Sequence, residues 1–280
     1  MGPPSFRKVR SAKSFTLKQA GWKLLEGHRL KIGQTVYKFA KSREMDGTVK
    51  TVTIKRDPLG DLYVYFSCVV EPQPITRVMT GHSAGFDFGL TTYLTGSDGT
   101  MHHAPQPLQS SLKAIAQANR HLSQKKKGSC NRRQAQRHLD RVHKRVANQR
   151  QAFHWQLAHQ LCAAYDSLTL ETLNLQGMKA LWGRKVSDLG FATFVETLHA
   201  VASKTGTLIQ HIDTWFPSTK LCSACGWINQ QITLRDRVWT CGDCGTTHQR
   251  NVNAAVNIFR EGASSPGGIH VSQASACRGC

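Results

Sequence analysis

Acids are scarce in this sequence: 17 Asp and Glu stand against 37 Lys and Arg, which leaves a formal charge of +20. The deficit argues against a basic partner and favours a polyanion, because each cation set against a phosphate releases condensed counterions. Long apolar runs are missing too. No stretch approaches the roughly 20 residues of a spanning helix, so no membrane role is expected. The opening "MGPPSFRKVR" lacks the apolar centre of a signal peptide. Nor do the cysteines form an even set. There are nine, and four fall in two neighbouring CxxC pairs, which fits metal binding in a reducing compartment better than a disulfide framework. The expectation is a cytoplasmic, nucleic-acid-facing protein, with 40% hydrophobic residues to build a core.

Residues 1–80 read as a small β-barrel-like domain that binds nucleic acid. "TVKTVTIKRDPLGDLYVYFSCVVE" alternates Val52 and Ile54, turns at Asp57-Pro58-Leu59-Gly60, then alternates Leu62, Val64, Phe66, Cys68 and Val70. Period-two burial around a turn of that composition is a hairpin. Lys55 and Arg56 are its candidate backbone contacts. "GHSAGFDFGLTTYLTGSDGT" (81–100) reads as a second hairpin, turning at Gly96–Gly99.

Then the period changes. Leu108, Leu112, Ile115 and Leu122 mark a helix that stops at "KKKGS". Ala135, Leu139, Val142, Val146, Phe153, Leu157 and Leu161 recur at the spacing of a long amphipathic helix. Its other face holds Arg132, Arg133, Arg137, Lys144, Arg145 and Arg150, with only Asp140 among them. Charges of one sign cannot support each other as i,i+4 pairs, so an external anion is the better reading. A strand over 166–175, a helix over about 187–204 and a strand over 206–213 complete an α/β pattern. The tail over 261–280 is Ser/Gly-rich and expected to be disordered, and its Cys277–Cys280 pair has no partner pair nearby.

Cys222, Cys225, Cys241 and Cys244 form C-x2-C…C-x2-C with 15 residues between the pairs. Two knuckles brought together by a hairpin make a closed tetrahedral sulfur site, so structural Zn²⁺ is expected, with no open position for catalysis. Asp87 in "GFDFGL" and Glu171 in "TLETLNL" stand at the ends of apolar strands. A carboxylate there is costly unless something positive binds it, and two of them in a basic α/β domain point to a Mg²⁺ site for phosphodiester chemistry.

These motifs, together with "SFTL", "GSCNRRQAQRHLDRVHKRVANQR", "FPSTKLCSACG", "ITLRDRVWTCGDCG" and "NVNAAVNI", resemble the TnpB family of transposon-encoded RNA-guided nucleases related to type V CRISPR effectors. The resemblance covers residues 5 to 260 or so. It implies an RNase H-like (RuvC) domain over 81–215 and 246–260, an inserted zinc ribbon over 216–245, and a guide RNA and target DNA as partners. It makes Asp87 the first catalytic acid and Glu171 the second. The family's third acid lies in a run like His-Asp-Arg-Asp, which here reads His248-Gln249-Arg250-Asn251. Asn251 therefore replaces a carboxylate. An amide brings no charge to offset a second cation, so Mg²⁺ is expected to bind weakly or not at all.

The expectation that follows is a nuclease-inactive protein acting by target occupancy, for example as a repressor. The alternatives are an active nuclease that uses a substitute acid such as Asp213 or Asp243, and a truncated transposon protein with non-specific RNA affinity. The family's helical module ahead of "SFTL" has no counterpart here, which leaves a homodimer or a fragment as further expectations.

Overall fold

A computed structural model describes residues 13–71, 75–233 and 235–264. The first strands are β1 (Ser14–Leu17), β2 (Trp22–Leu25), β3 (Arg29–Ile32), β4 (Thr35–Lys38), β5 (Thr48–Arg56) and β6 (Leu62–Val69). The hairpin of β5 and β6 turns as expected: the Gly60 amide donates to the Asp57 carbonyl at 3.1 Å and the Asp61 amide to its carboxylate at 2.8 Å. β1, β5 and β6 make one three-stranded sheet, and β2, β3 and β4 another. Among the described residues the expected barrel is not closed: strands β2–β4 pair only with one another, and β1 and β6 are the edges of the other sheet. Val52 and Leu30 are fully buried, and Phe39 packs on Phe66 at 5.4 Å between ring centres.

The larger sheet begins with β7 (Ser83–Phe88), β8 (Leu94–Gly96) and β9 (Met101–His102). After α1 (Pro107–Ser123) and α2 (Cys130–Ala164) it takes up β10 (Ser167–Glu171). After α3 (Leu175–Leu189) and α4 (Phe191–Thr205) it takes up β11 (Leu208–Ile212). The order is β11-β10-β7-β8-β9, with β7, β10 and β11 parallel and β8 and β9 antiparallel. This is the RNase H-like α/β arrangement. β12 (Val238–Thr240), β13 (Thr247–Gln249) and α5 (Arg250–Ser264) follow.

Several details differ from the sequence reading. The Gly96–Gly99 turn joins β8 to β9 instead of closing the hairpin of β7, because Asp98 gathers the Thr100 amide at 3.0 Å. The helix expected over about 187–204 is α4, and the unexpected α3 precedes it: Gly190, at φ 62°, donates its N–H to the Val186 carbonyl and ends α3 just before α4 begins. α5 continues to Ser264, past the start of the expected disordered tail, while residues 265–280, with Cys277 and Cys280, lie outside the described residues.

Ala84, Phe86 and Phe88 point from β7 into the core built with Leu157 and Leu161 of α2 and Phe191, Phe194 and Leu198 of α4. Alternation sends Ser83, Gly85 and Asp87 to the other face, which α5 covers. That approach is close: a Cβ on Gly85 would lie 2.4 Å from the Phe259 nitrogen.

The chain forms two compact units. One joins the described residues before 75 with Ala114–His143; the other joins Ile75–Lys113 with the described residues from Lys144 onward. The second unit starts earlier than residue 81 because Arg77 is built into it. Its guanidinium pairs with the Asp166 carboxylate at 3.1 Å and donates to the Tyr165 carbonyl at 2.7 Å. No helix among the described residues is long and apolar enough to cross a membrane.

Candidate active site

β7 and β10 run parallel with Leu170 opposite Phe86, so the next residues, Glu171 at the end of β10 and Asp87 one short of the end of β7, stand at one level. Both carboxyls resist ionisation. Burial pushes Asp87 well above the usual carboxylate range, the nearby Glu171 adds to the rise, and Arg250 opposes it. Burial also pushes Glu171 up, to about 7, against a hydrogen bond from the Phe88 amide. Two buried carboxyls that raise each other's cost of ionisation form a site suited to a cation.

α5 brings its first turn to this pair. Asn251 lies beside Gly89, its amide nitrogen 3.8 Å from where a Cβ there would stand. Arg250 approaches the Asn251 amide oxygen at 3.5 Å and the Thr233 carbonyl at 3.3 Å. Asp87 and Glu171 thus stand side by side on adjacent strands, and Asn251 lies beside Gly89, two residues beyond Asp87. Asp213 follows β11 at the same end but is exposed, and it accepts from the Trp215 amide at 2.7 Å. Asp243 is exposed in the ribbon. The sequence reading missed Arg250, although its place one residue ahead of Asn251 on the same helical turn was the available signal.

The four sulfurs of Cys222, Cys225, Cys241 and Cys244 all lie within 4.8 Å of one another. Cys222 and Cys244 are 3.7 Å apart, and Cys225 and Cys241 3.6 Å. A tetrahedral ion with metal–sulfur bonds of about 2.3 Å spaces its ligands by about 3.8 Å, so the cluster fits zinc. Gly226 and Gly245, at φ 81° and 71°, turn each knuckle and donate to the carbonyls of Cys222 and Cys241. His248 sets Nε2 3.0 Å from the Cys222 sulfur, and its ring packs against Trp239 at 4.9 Å. Buried Asn253 and Asn257 of α5 hold the first knuckle from behind, each donating to the Leu221 carbonyl at 2.7 Å.

The basic candidates divide. Arg133, Arg137 and Arg145 on α2 and Lys55 and Arg56 on β5 are exposed, and Lys144 is half-buried. Arg132 instead donates to the carbonyls of Leu122 and Lys125 at the end of α1, at 3.0 and 3.1 Å. Arg150 pairs with Asp188 at 3.4 Å. These two serve the fold.

Residues 66–181 match a family described as a probable transposase, OrfB_IS605, and residues 191–258 match the Cas12f1-like TNB domain. A protein of Streptomyces pristinaespiralis named as an RNA-guided DNA endonuclease is 31% identical over 216 residues, 76% of this chain and 52% of that protein. TnpB-like protein L79 of Acanthamoeba polyphaga mimivirus is 26% identical over 246 residues, 80% of this chain and 46% of that protein. The chain is TnpB-like. A solved Cas12f1–sgRNA–target DNA complex shares its fold over 75% of this chain and 45% of that one, with a TM-score of 0.53 at 14% identity. The chain spans about half the length of the curated relatives it matches. The expectation that this is not an enzyme, an inactivated nuclease with Asn251 in place of an acid, is overturned by relatives named as endonucleases.

Proposed function

We propose that this chain carries the nuclease portion of an RNA-guided DNA endonuclease, with a guide RNA and target DNA as its partners. One observation carries the reading: Asp87 and Glu171 stand at one level near the ends of adjacent parallel strands, with their carboxyls held above the ordinary range and Arg250 of α5 acting on Asp87. Their oxygens, with the Asn251 amide oxygen, are hard donors of the kind Mg²⁺ prefers. A divalent cation bound there would polarise the scissile phosphate and lower the pKa of an attacking water. Arg250 supplies a fixed positive charge beside Asp87, in place of a second cation whose charge the neutral Asn251 does not offset. The exposed Arg133, Arg137 and Arg145 grip the RNA backbone. The zinc ribbon positions α5 and takes no part in the chemistry.

The test uses the RNA-bound protein and labelled guide-matched DNA in Mg²⁺. Cleavage by the wild type, abolished in Asp87→Ala, is expected. Asn251→Asp should lower the Mg²⁺ concentration for half-maximal cleavage by about tenfold, since it adds the missing charge. A wild type that holds target DNA and leaves it intact would sink the proposal. Light scattering of the same complex separates one copy from a homodimer.

A further inference from the structure

The sheet of β1, β5 and β6 has two unlike faces. Leu17, Val52 and Phe66 share one register row, and Val52 is fully buried there. The opposite face carries Ser14, Lys55 and Tyr63 in one row and Thr16, Thr53 and Tyr65 in another, with Ser67 following. Tyr63 is 41% exposed and Tyr65 52%, large areas for rings at the middle of a strand. These rows hold no acid.

We infer that this face is a stacking platform for unpaired bases of single-stranded RNA, with Tyr63 and Tyr65 each taking one base. The inference rests on the guide-RNA reading above and deepens it. Residues i and i+2 on a strand are about 6.7 Å apart, whereas stacked bases in a duplex rise about 3.4 Å. Two consecutive bases can therefore cover both rings only when they are drawn apart from each other, which excludes a duplex and selects an extended strand. Lys55 stands in register with Tyr63, where it can meet the phosphate of the base that ring holds. Thr16 and Thr53 join hydroxyls at 2.9 Å beside Tyr65, and Ser67 lies just beyond. That row of hydroxyls can both donate to and accept from a ribose 2′-OH, so the platform is assigned to RNA. Among the described residues β6 is an edge strand, so the nucleotides can run on past the sheet.

The experiment strips the full-length protein of nucleic acid and titrates it with a short fluorescein-labelled oligouridine across a salt series. Stacking is not counterion release. Tyr63→Ala and Tyr65→Ala should each weaken binding by about tenfold at every salt concentration, and the salt slope should stay as in the wild type. Tyr65→Phe should keep the affinity, since the ring does the work. Thermal melts check that these exposed substitutions leave the fold intact. Wild-type affinity in the Tyr63→Ala, Tyr65→Ala double variant overturns the platform, and so does a Tyr65→Phe loss as large as that of alanine. Equal, equally tyrosine-dependent binding of the matching oligodeoxynucleotide overturns the assignment to RNA. Failure of the wild type to bind any RNA overturns the guide-RNA reading as well, which keeps the two outcomes apart.

Discussion

The Ser223 amide donates to the Asn253 carboxamide oxygen at 2.9 Å, and this bond ties α5 to the first zinc knuckle. The other half of the same carboxamide reaches the Leu221 carbonyl. The helix that presents Arg250 and Asn251 to the carboxylates is thus anchored by the turn that carries the metal thiolates.

Asn253→Ala should therefore cost more than a surface change. It leaves the Ser223 amide and the Leu221 carbonyl short of a partner, a loss of about 1–3 kcal/mol. Chemical denaturation should record that loss with zinc still bound. An unchanged midpoint would mean that Asn257, which also reaches Leu221, holds the knuckle alone.

Removing a thiolate acts earlier in the same chain of contacts. In Cys241→Ser the site keeps three sulfurs, and elemental analysis should find zinc depleted in freshly purified protein. Nuclease activity should fall with it, although none of these sulfurs belongs to the carboxylate site. Full zinc content in that variant would refute the four-cysteine site.

The carboxylate pair predicts a dependence on pH. Glu171, at about 7, and Asp87 both sit above their unfolded values in the folded protein. The stability that protonated Glu171 contributes is fully present below about pH 4 and is lost as pH rises through about 7, and Asp87, raised well above the usual carboxylate range, acts in the same direction. A bound divalent cation needs the ionised forms, so its stabilising effect must grow over that same window. Thermal melts with and without Mg²⁺ should coincide near pH 5 and separate near pH 8, and Asp87→Ala should erase the separation. A Mg²⁺ effect independent of pH would place the ion elsewhere.

The arginines of α2 should sort by role. Reversing charge at Arg133 and Arg137 together should weaken RNA binding and reduce the salt slope by about two. Arg150→Ala should instead lower the melting temperature, because it strands Asp188, which is 5% exposed, without its cation. Arg132→Ala should do the same by uncapping α1. Equal effects of all four on RNA affinity would refute the division.

Much of this arrangement was legible in the sequence because it is written in period and spacing. The alternation of Leu62, Val64 and Phe66 gave β6, and the cysteine pairs gave the ribbon. Asp87 and Glu171 stood out as acids in apolar strands. What escaped depended on partners distant in the chain. That Arg132 and Arg150 face inward follows from carbonyls on α1 and a carboxylate on α3, which no helical period reveals. The break at Gly190 was hidden because apolar residues continue on both sides of it. The barrel was overread because alternation establishes strands, not which edges close.

The Arg77–Asp166 pair sets where the chain can be cut. Asp166 also accepts from the amides of Thr80 at 3.0 Å and Gly81 at 2.7 Å, so the segment from Ile75 to Gly81 serves as the strap under the start of β10. A nuclease fragment begun at residue 81, where the motif "GFDFGL" invites the scissors, would discard the guanidinium and one of the two amides and leave that carboxylate facing a gap. Begun at Ile75, six residues earlier, the fragment keeps its own clasp.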